Sequence, residues 1–128
     1  MITIKGTMPY LAYSWALVIL IVSVLPNDEL PSLSLWEADK VMHFAVYGLL
    51  TALTTFAIKG RFPHYSLKKS VKTAVGLCIL YGMIIEGIQY LLPTRQFDLL
   101  DGLANSIGCL LAAAMVLLIS GRQRASNS

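Results

Sequence analysis

Four apolar stretches, each about as long as a helix that crosses a bilayer, govern what this chain can fold into. They run over about 9–26, 41–58, 73–92 and 102–121, and crossing ~30 Å of hydrocarbon takes about 20 helical residues. The first holds no charge between Lys5 and Asp28. The second is interrupted only by His43, the third carries Glu86, and the fourth carries Asn105 but no charge. An open strand edge in lipid leaves backbone groups unsatisfied, so all four are expected to be helices. The fold class that follows is an all-α, integral-membrane four-helix bundle forming a single domain over residues 1–128.

Composition agrees with this. Of the 128 residues, 56% are hydrophobic and 13% charged, against roughly 25% charged in a soluble domain; disordered chains, poor in apolar residues, are excluded by the same figures. The net charge of +3 does not point to nucleic acid, because the basic residues fall between apolar runs rather than on one face. Cys78 and Cys109 lie inside apolar runs without metal-type spacing, so neither a disulfide framework nor a zinc site is expected. Ser23-Val24-Leu25-Pro26 offers no signal-peptide cleavage pattern, and the first run is read as a retained span.

Basic residues in short loops set orientation. Lys5, the loop bearing Lys59, Arg61, Lys68, Lys69 and Lys72, and the tail bearing Arg122 and Arg124 fall on one side, eight in all; Lys40 and Arg95 fall on the other. Both termini are therefore expected in the cytoplasm. The opposite side then carries Asp28, Glu29, Glu37, Asp39, Asp98 and Asp101, which leaves Glu86 as the one acid inside the membrane. Tyr10, Tyr13, Trp15 and Trp36 read as interfacial anchors, and the Lys68-Lys69-x-x-Lys72 run as a topology determinant.

Polar side chains of the last three spans gather at one level. Asp39, His43 and Tyr47 are spaced four apart, which stacks them on one helical face, and Thr51 and Thr55 extend that stripe inward. Glu86 is followed by Gln89 and Tyr90 at i+3 and i+4, and Asp101 by Asn105 one turn further in. At ~1.5 Å per residue, Glu86 lies roughly 9 Å below the outer end of its helix. A carboxylate facing lipid there is costly, so Glu86 is expected to face inward and meet His43, Arg95 or Tyr47, or else to carry a proton. Asp101 is expected to cap the fourth helix. Ala104, Gly108 and Ala112 form a small-xxx-small face suited to close packing, within the chain or in a homo-oligomer.

Two strings carry a resemblance. One is Asp39-Lys40-x-x-His43-x-x-x-Tyr47; the other is Glu86-x-x-Gln89-x-x-x-Pro93-x-Arg95, followed by Asp98, Asp101, Asn105 and Gly108. Together, with a weaker echo in Ser23-x-x-Pro26, they resemble the VanZ-like family of small multi-pass bacterial membrane proteins. The resemblance implies a bacterial inner (plasma) membrane protein of the cell envelope. Its founding member is associated with resistance to the antibiotic teicoplanin, and the family as a whole has no established activity. The candidate binding residues, on their shared level and the motif strings, are Asp39, Lys40, His43, Tyr47, Glu86, Gln89, Arg95, Asp101 and Asn105; no family role is carried onto Asp98.

Two functions fit these residues. In one, a polar cleft at the outer leaflet binds membrane lipids or a lipid-linked envelope precursor. In the other, an intramembrane hydrolase or transferase uses Glu86 or His43 as general base and Arg95 to stabilise an anion. Ser106 faces away from Asn105, so no side-chain nucleophile accompanies the cluster. No cofactor is expected, and with a single histidine on that side no metal either, although His43 with Asp39, Glu86 and Asp101 has the donor types for a divalent ion.

Overall fold

The computed structural model describes residues 4–26 and 36–127, with side chains from 6–26 and 40–127. Asp28 and Glu29 lie outside the described residues, and the side chains of Lys5, Trp36, Glu37 and Asp39 outside the described side chains. The chain forms four helices, α1 (Ile4–Val24), α2 (Trp36–Arg61), α3 (Leu67–Leu91) and α4 (Leu99–Ser126), with no strand among the described residues. Each contains a segment long and apolar enough to cross a membrane.

All four helices extend beyond the apolar runs at one or both ends. Hydropathy marks only the portion suited to hydrocarbon, whereas a helix continues until its backbone bonds find another solution. For α3 that point is Ser66, whose hydroxyl accepts from the Lys69 amide at 3.1 Å; for α4 it is Asp98, which accepts from the Leu100 amide at 2.8 Å. These are N-caps, each satisfying an orphaned first-turn donor. Pro9 lies inside α1 instead of opening it, since a proline so near the N-terminus forfeits a single bond to an earlier carbonyl. At the other ends, Leu92 is extended at φ −91° and ψ 128°, the conformation that the following Pro93 imposes.

Helix α2 is the hub, packing most extensively on α4 and also on α1 and α3. The α2–α4 seam is built on glycine. A Cβ at Gly108 would overlap the Phe44 carbonyl and stand 3.1 Å from Phe44 Cα, and one at Gly48 would stand 3.4 Å from the Gly108 carbonyl oxygen and 3.8 Å from Ala112 Cβ. The Gly108 and Ala112 part of the small-residue stripe is thus packed against α2 of the same chain.

Hydroxyls buried in this seam satisfy themselves locally: Thr51 donates to the Tyr47 carbonyl at 2.9 Å and Thr55 to the Thr51 carbonyl at 2.8 Å. Trp15 is a tie between helices rather than a free interfacial anchor, its indole N–H donating to the Val46 carbonyl at 3.0 Å. Tyr81 likewise donates to the Ala16 carbonyl. The outward surface is apolar, with Leu80, Met83, Ile84, Leu110, Leu118 and Ile119 all exposed, an arrangement that a lipid solvent accommodates and water does not.

Gly108→Ala is expected to lower stability by about 1–3 kcal/mol, because the added methyl meets backbone that cannot yield. Gly121→Ala, inside α4 with nothing within 4 Å of its Cβ position, should leave stability unchanged or raise it by up to about 1 kcal/mol, since alanine is the better helix former. Thermal unfolding in detergent compares the two; equal midpoints would contradict the seam.

Candidate functional site

One end of the bundle collects the C-termini of α1 and α3 and the N-termini of α2 and α4. Lys40 on α2 reaches across to both acids at the start of α4, bonding Asp98 Oδ2 at 2.6 Å and Asp101 Oδ1. Asp98 divides its work, since its other oxygen is the N-cap acceptor. The Lys40 hydrogen bond, and after it the Leu100 amide, hold its carboxyl below the usual aspartate range. Asp98 therefore caps α4, and Asp101, three residues further on, is freed to face α2. The D-x-x-D spacing just ahead of an apolar run was the signal for this division.

One turn deeper the same two helices meet again. His43 Nδ1 lies 3.2 Å from Asn105 Oδ1, and His43 Nε2 lies 3.7 Å from Asp101 Oδ2. The i, i+3 pair Lys40 and His43 on α2 thus faces the i, i+4 pair Asp101 and Asn105 on α4, both spacings that place side chains on one helical face.

Helix α3 completes the cluster. Glu86 is 5% exposed, and neither carboxylate oxygen has a hydrogen-bond partner among the described residues. One ligating atom from each of His43, Glu86 and Asp101 lies within 4.8 Å of the others. Beside them, Tyr47 and Asn105 are buried, and the Tyr47 hydroxyl and Asn105 Nδ2 also lack partners. Gly82, one turn before Glu86, makes this possible. Its Cβ position is 3.1 Å from Tyr47 Cε1 and 3.5 Å from Asn105 Nδ2, so a larger residue would push both away. An unpaired polar group in a dry interior typically costs about 1–3 kcal/mol, and more when charged; here four such atoms converge.

Three expected members stand elsewhere. Tyr90 points outward and is 71% exposed. Arg95 and Gln89 close the end of α1: Arg95 donates from Nε to the Leu25 carbonyl at 2.9 Å and from Nη2 to that of Val22 at 2.7 Å, and Gln89 donates to the Ser23 carbonyl at 3.1 Å. The last turn of any helix leaves carbonyls without donors. Pro26 sharpens that need, because it has no N–H to offer the Val22 carbonyl four residues earlier. The expectation that Arg95 joins Glu86 and His43, or pairs with Asp98 or Asp101, is not met, because α1's orphaned carbonyls engage its guanidinium and Lys40 holds both acids. Ser106 donates to the Gly102 carbonyl at 3.0 Å. Asp39 is on α2, but its side chain lies outside the described ones.

Residues 3–120 match the VanZ/LLP1 family. The chain belongs to the VanZ/LLP1 family. A relative in Schizosaccharomyces pombe, an uncharacterized protein, is 32% identical over 94 residues, which is 73% of this chain and 55% of that protein. The chain therefore spans little more than half the length of this relative. No solved structure matches. Within this VanZ/LLP1 chain the polar residues of this end divide into two devices: a clasp on α1 from Gln89 and Arg95, and a cluster of Lys40, His43, Tyr47, Glu86, Asp98, Asp101 and Asn105.

The clasp makes its own prediction. Arg95→Ala should remove about 1–3 kcal/mol of local stability, and Arg95→Lys should not restore it, because an ammonium lacks the planar fork that spans two carbonyls. Amide hydrogen exchange at residues 21–25 reads this directly: faster exchange in both variants is expected, and unchanged exchange would remove the clasp from the account.

Proposed function

We propose that this end of the bundle binds the headgroup of a lipid-linked cell-envelope component. The observation carrying the reading is the group of unpartnered buried atoms on Glu86, Tyr47 and Asn105. A fold gains nothing by burying donors and acceptors that lack partners, whereas a ligand bearing hydroxyl, amine or phosphate groups would satisfy them. Lys40 and the half-buried His43 supply positive or donor character at the mouth of the cluster. Its placement near a helix end suits a ligand whose tail lies in lipid.

In this reading the cluster faces the non-cytoplasmic side of a bacterial inner membrane, with both termini in the cytoplasm. Eight basic residues at the opposite end against two at this one support that orientation. Asp39, Gln89 and Arg95 then act as supports for the site. A link to teicoplanin tolerance comes from the family resemblance and is a cellular readout of the same proposal.

A second reading is favoured by one feature, the approach of His43 to the Glu86 carboxylate. The pair would act as acid and base on a lipid phosphate or ester, with water as nucleophile.

Native mass spectrometry of the protein released from nanodiscs containing a polyprenyl phosphate tests both. Retention of that lipid by the wild type is expected, with at least tenfold less in Glu86→Gln and His43→Ala and no loss in Leu118→Ala on the lipid-facing surface. Equal retention in all four would overturn the binding site. Conversion of the lipid by the wild type and not by Glu86→Gln would favour the enzyme.

A further inference from the structure

The same cluster has a feature that hydrogen bonding to a headgroup does not account for. Three carboxylates, Glu86, Asp98 and Asp101, face the single ammonium of Lys40, and Lys40 is bonded to only two of them. Among the described side chains three carboxyl groups thus meet one ammonium and one imidazole, and one of the acids, Glu86, is buried with both oxygens unpartnered. An isolated carboxylate is strongly disfavoured in a dry interior unless it is paired, protonated or coordinated to a metal.

We infer that His43, Glu86 and Asp101 form a divalent-cation site. Donor atoms held about 2.1 Å from a shared ion stand roughly 3–4 Å apart, and the three here already lie within 4.8 Å of one another, one from each of three helices. One imidazole with two carboxylates suits Zn²⁺ or Mn²⁺ better than the soft Cu⁺ or the all-oxygen Ca²⁺. Asn105 fits the supporting role: its Oδ1 lies 3.2 Å from His43 Nδ1, and an acceptor there fixes the ring tautomer that presents the Nε2 lone pair to a metal. Asp101 is shared in the same manner, with one oxygen on Lys40 and the other turned toward His43.

Three protein ligands leave an open position, the arrangement of zinc sites that take a water or a substrate oxygen. Lys40 bonds Asp101, one of the three ligands. A phosphate at the open position could engage both the ion and the nearby ammonium, which points to a phosphorylated lipid as the ligand class of the proposed site. That last step rests on the headgroup-binding reading; the cation site itself rests on the cluster alone.

The test uses untagged protein in detergent, stripped with a chelator and titrated with Zn²⁺ without lipid, bound metal being counted by elemental analysis after gel filtration. Cobalt substitution gives an absorption spectrum as a second readout. The wild type is expected to retain one ion per chain, and Glu86→Gln and His43→Ala to bind at least tenfold more weakly. Asn105→Ala should weaken binding by roughly tenfold, through the orientation of His43. Glu86→Asp and His43→Gln serve if the first variants do not fold, and are expected to shift the cobalt spectrum. Failure of the wild type to retain metal, or equal retention in the ligand variants, would overturn the site. Lipid retention by the chelator-stripped protein is scored separately, so loss of the cation site and loss of the headgroup site are distinguishable.

Discussion

The contact between α2 and α4 at Gly108, where backbone meets backbone with no side chain between, sets the positions of nearly everything at the polar end. Lipid supplies no hydrophobic drive for helix to meet helix, so close packing and hydrogen bonds must do it. Gly48, Gly108 and Ala112 bring the two axes near enough for Lys40 to span to Asp98 and Asp101 and for His43 to reach Asn105 and Asp101. Gly82 plays the corresponding part for α3, leaving room for the Tyr47 ring and the Asn105 amide above Glu86. Small residues thus position the polar ones, and substituting the former would disperse the latter without touching a charged group.

The peripheral helix α1 is held differently. It packs mainly on α2, and side chains of its neighbours seek out, or are sought by, backbone carbonyls: Trp15 reaches Val46, Tyr81 reaches Ala16, and Gln89 and Arg95 gather the carbonyls left at its C-terminus. Arg95 and Gln89 reach α1 from a loop and from α3, so the clasp also fixes where α3 ends. Glu86 lies one turn before Gln89 on the same helix. A change in the clasp would therefore be felt at the cluster through the position of α3.

The four helices were legible because apolar run length reports directly on membrane crossing, and the common level of His43, Glu86 and Asn105 because residue rise converts sequence into depth. The helix ends were not, since caps such as Ser66 and Asp98 lie beyond the apolar window. Arg95 misled for a related reason. Its nearest complementary neighbours in sequence are the acids Asp98 and Asp101, while its described hydrogen bonds go to main-chain oxygens of α1, which every residue possesses and no residue type announces. Pro26 was the available clue, because it marks a carbonyl deprived of its donor. The Ala104, Gly108 and Ala112 stripe announced close packing but not against what.

Glu86 is where these lines meet, a buried carboxylate that the packing around Gly82 and Gly108 creates space for and that the described residues do not satisfy. If it is kept for a ligand and not for the fold, its removal should relieve the empty protein. The direct measurement is thermal unfolding of Glu86→Met against wild type, both free of metal and of added lipid. A higher midpoint for the variant is the expected result, reflecting about 1–3 kcal/mol regained from an unsatisfied buried group. A lower midpoint would mean that Glu86 is already paired in the folded chain, and would contradict the site as described.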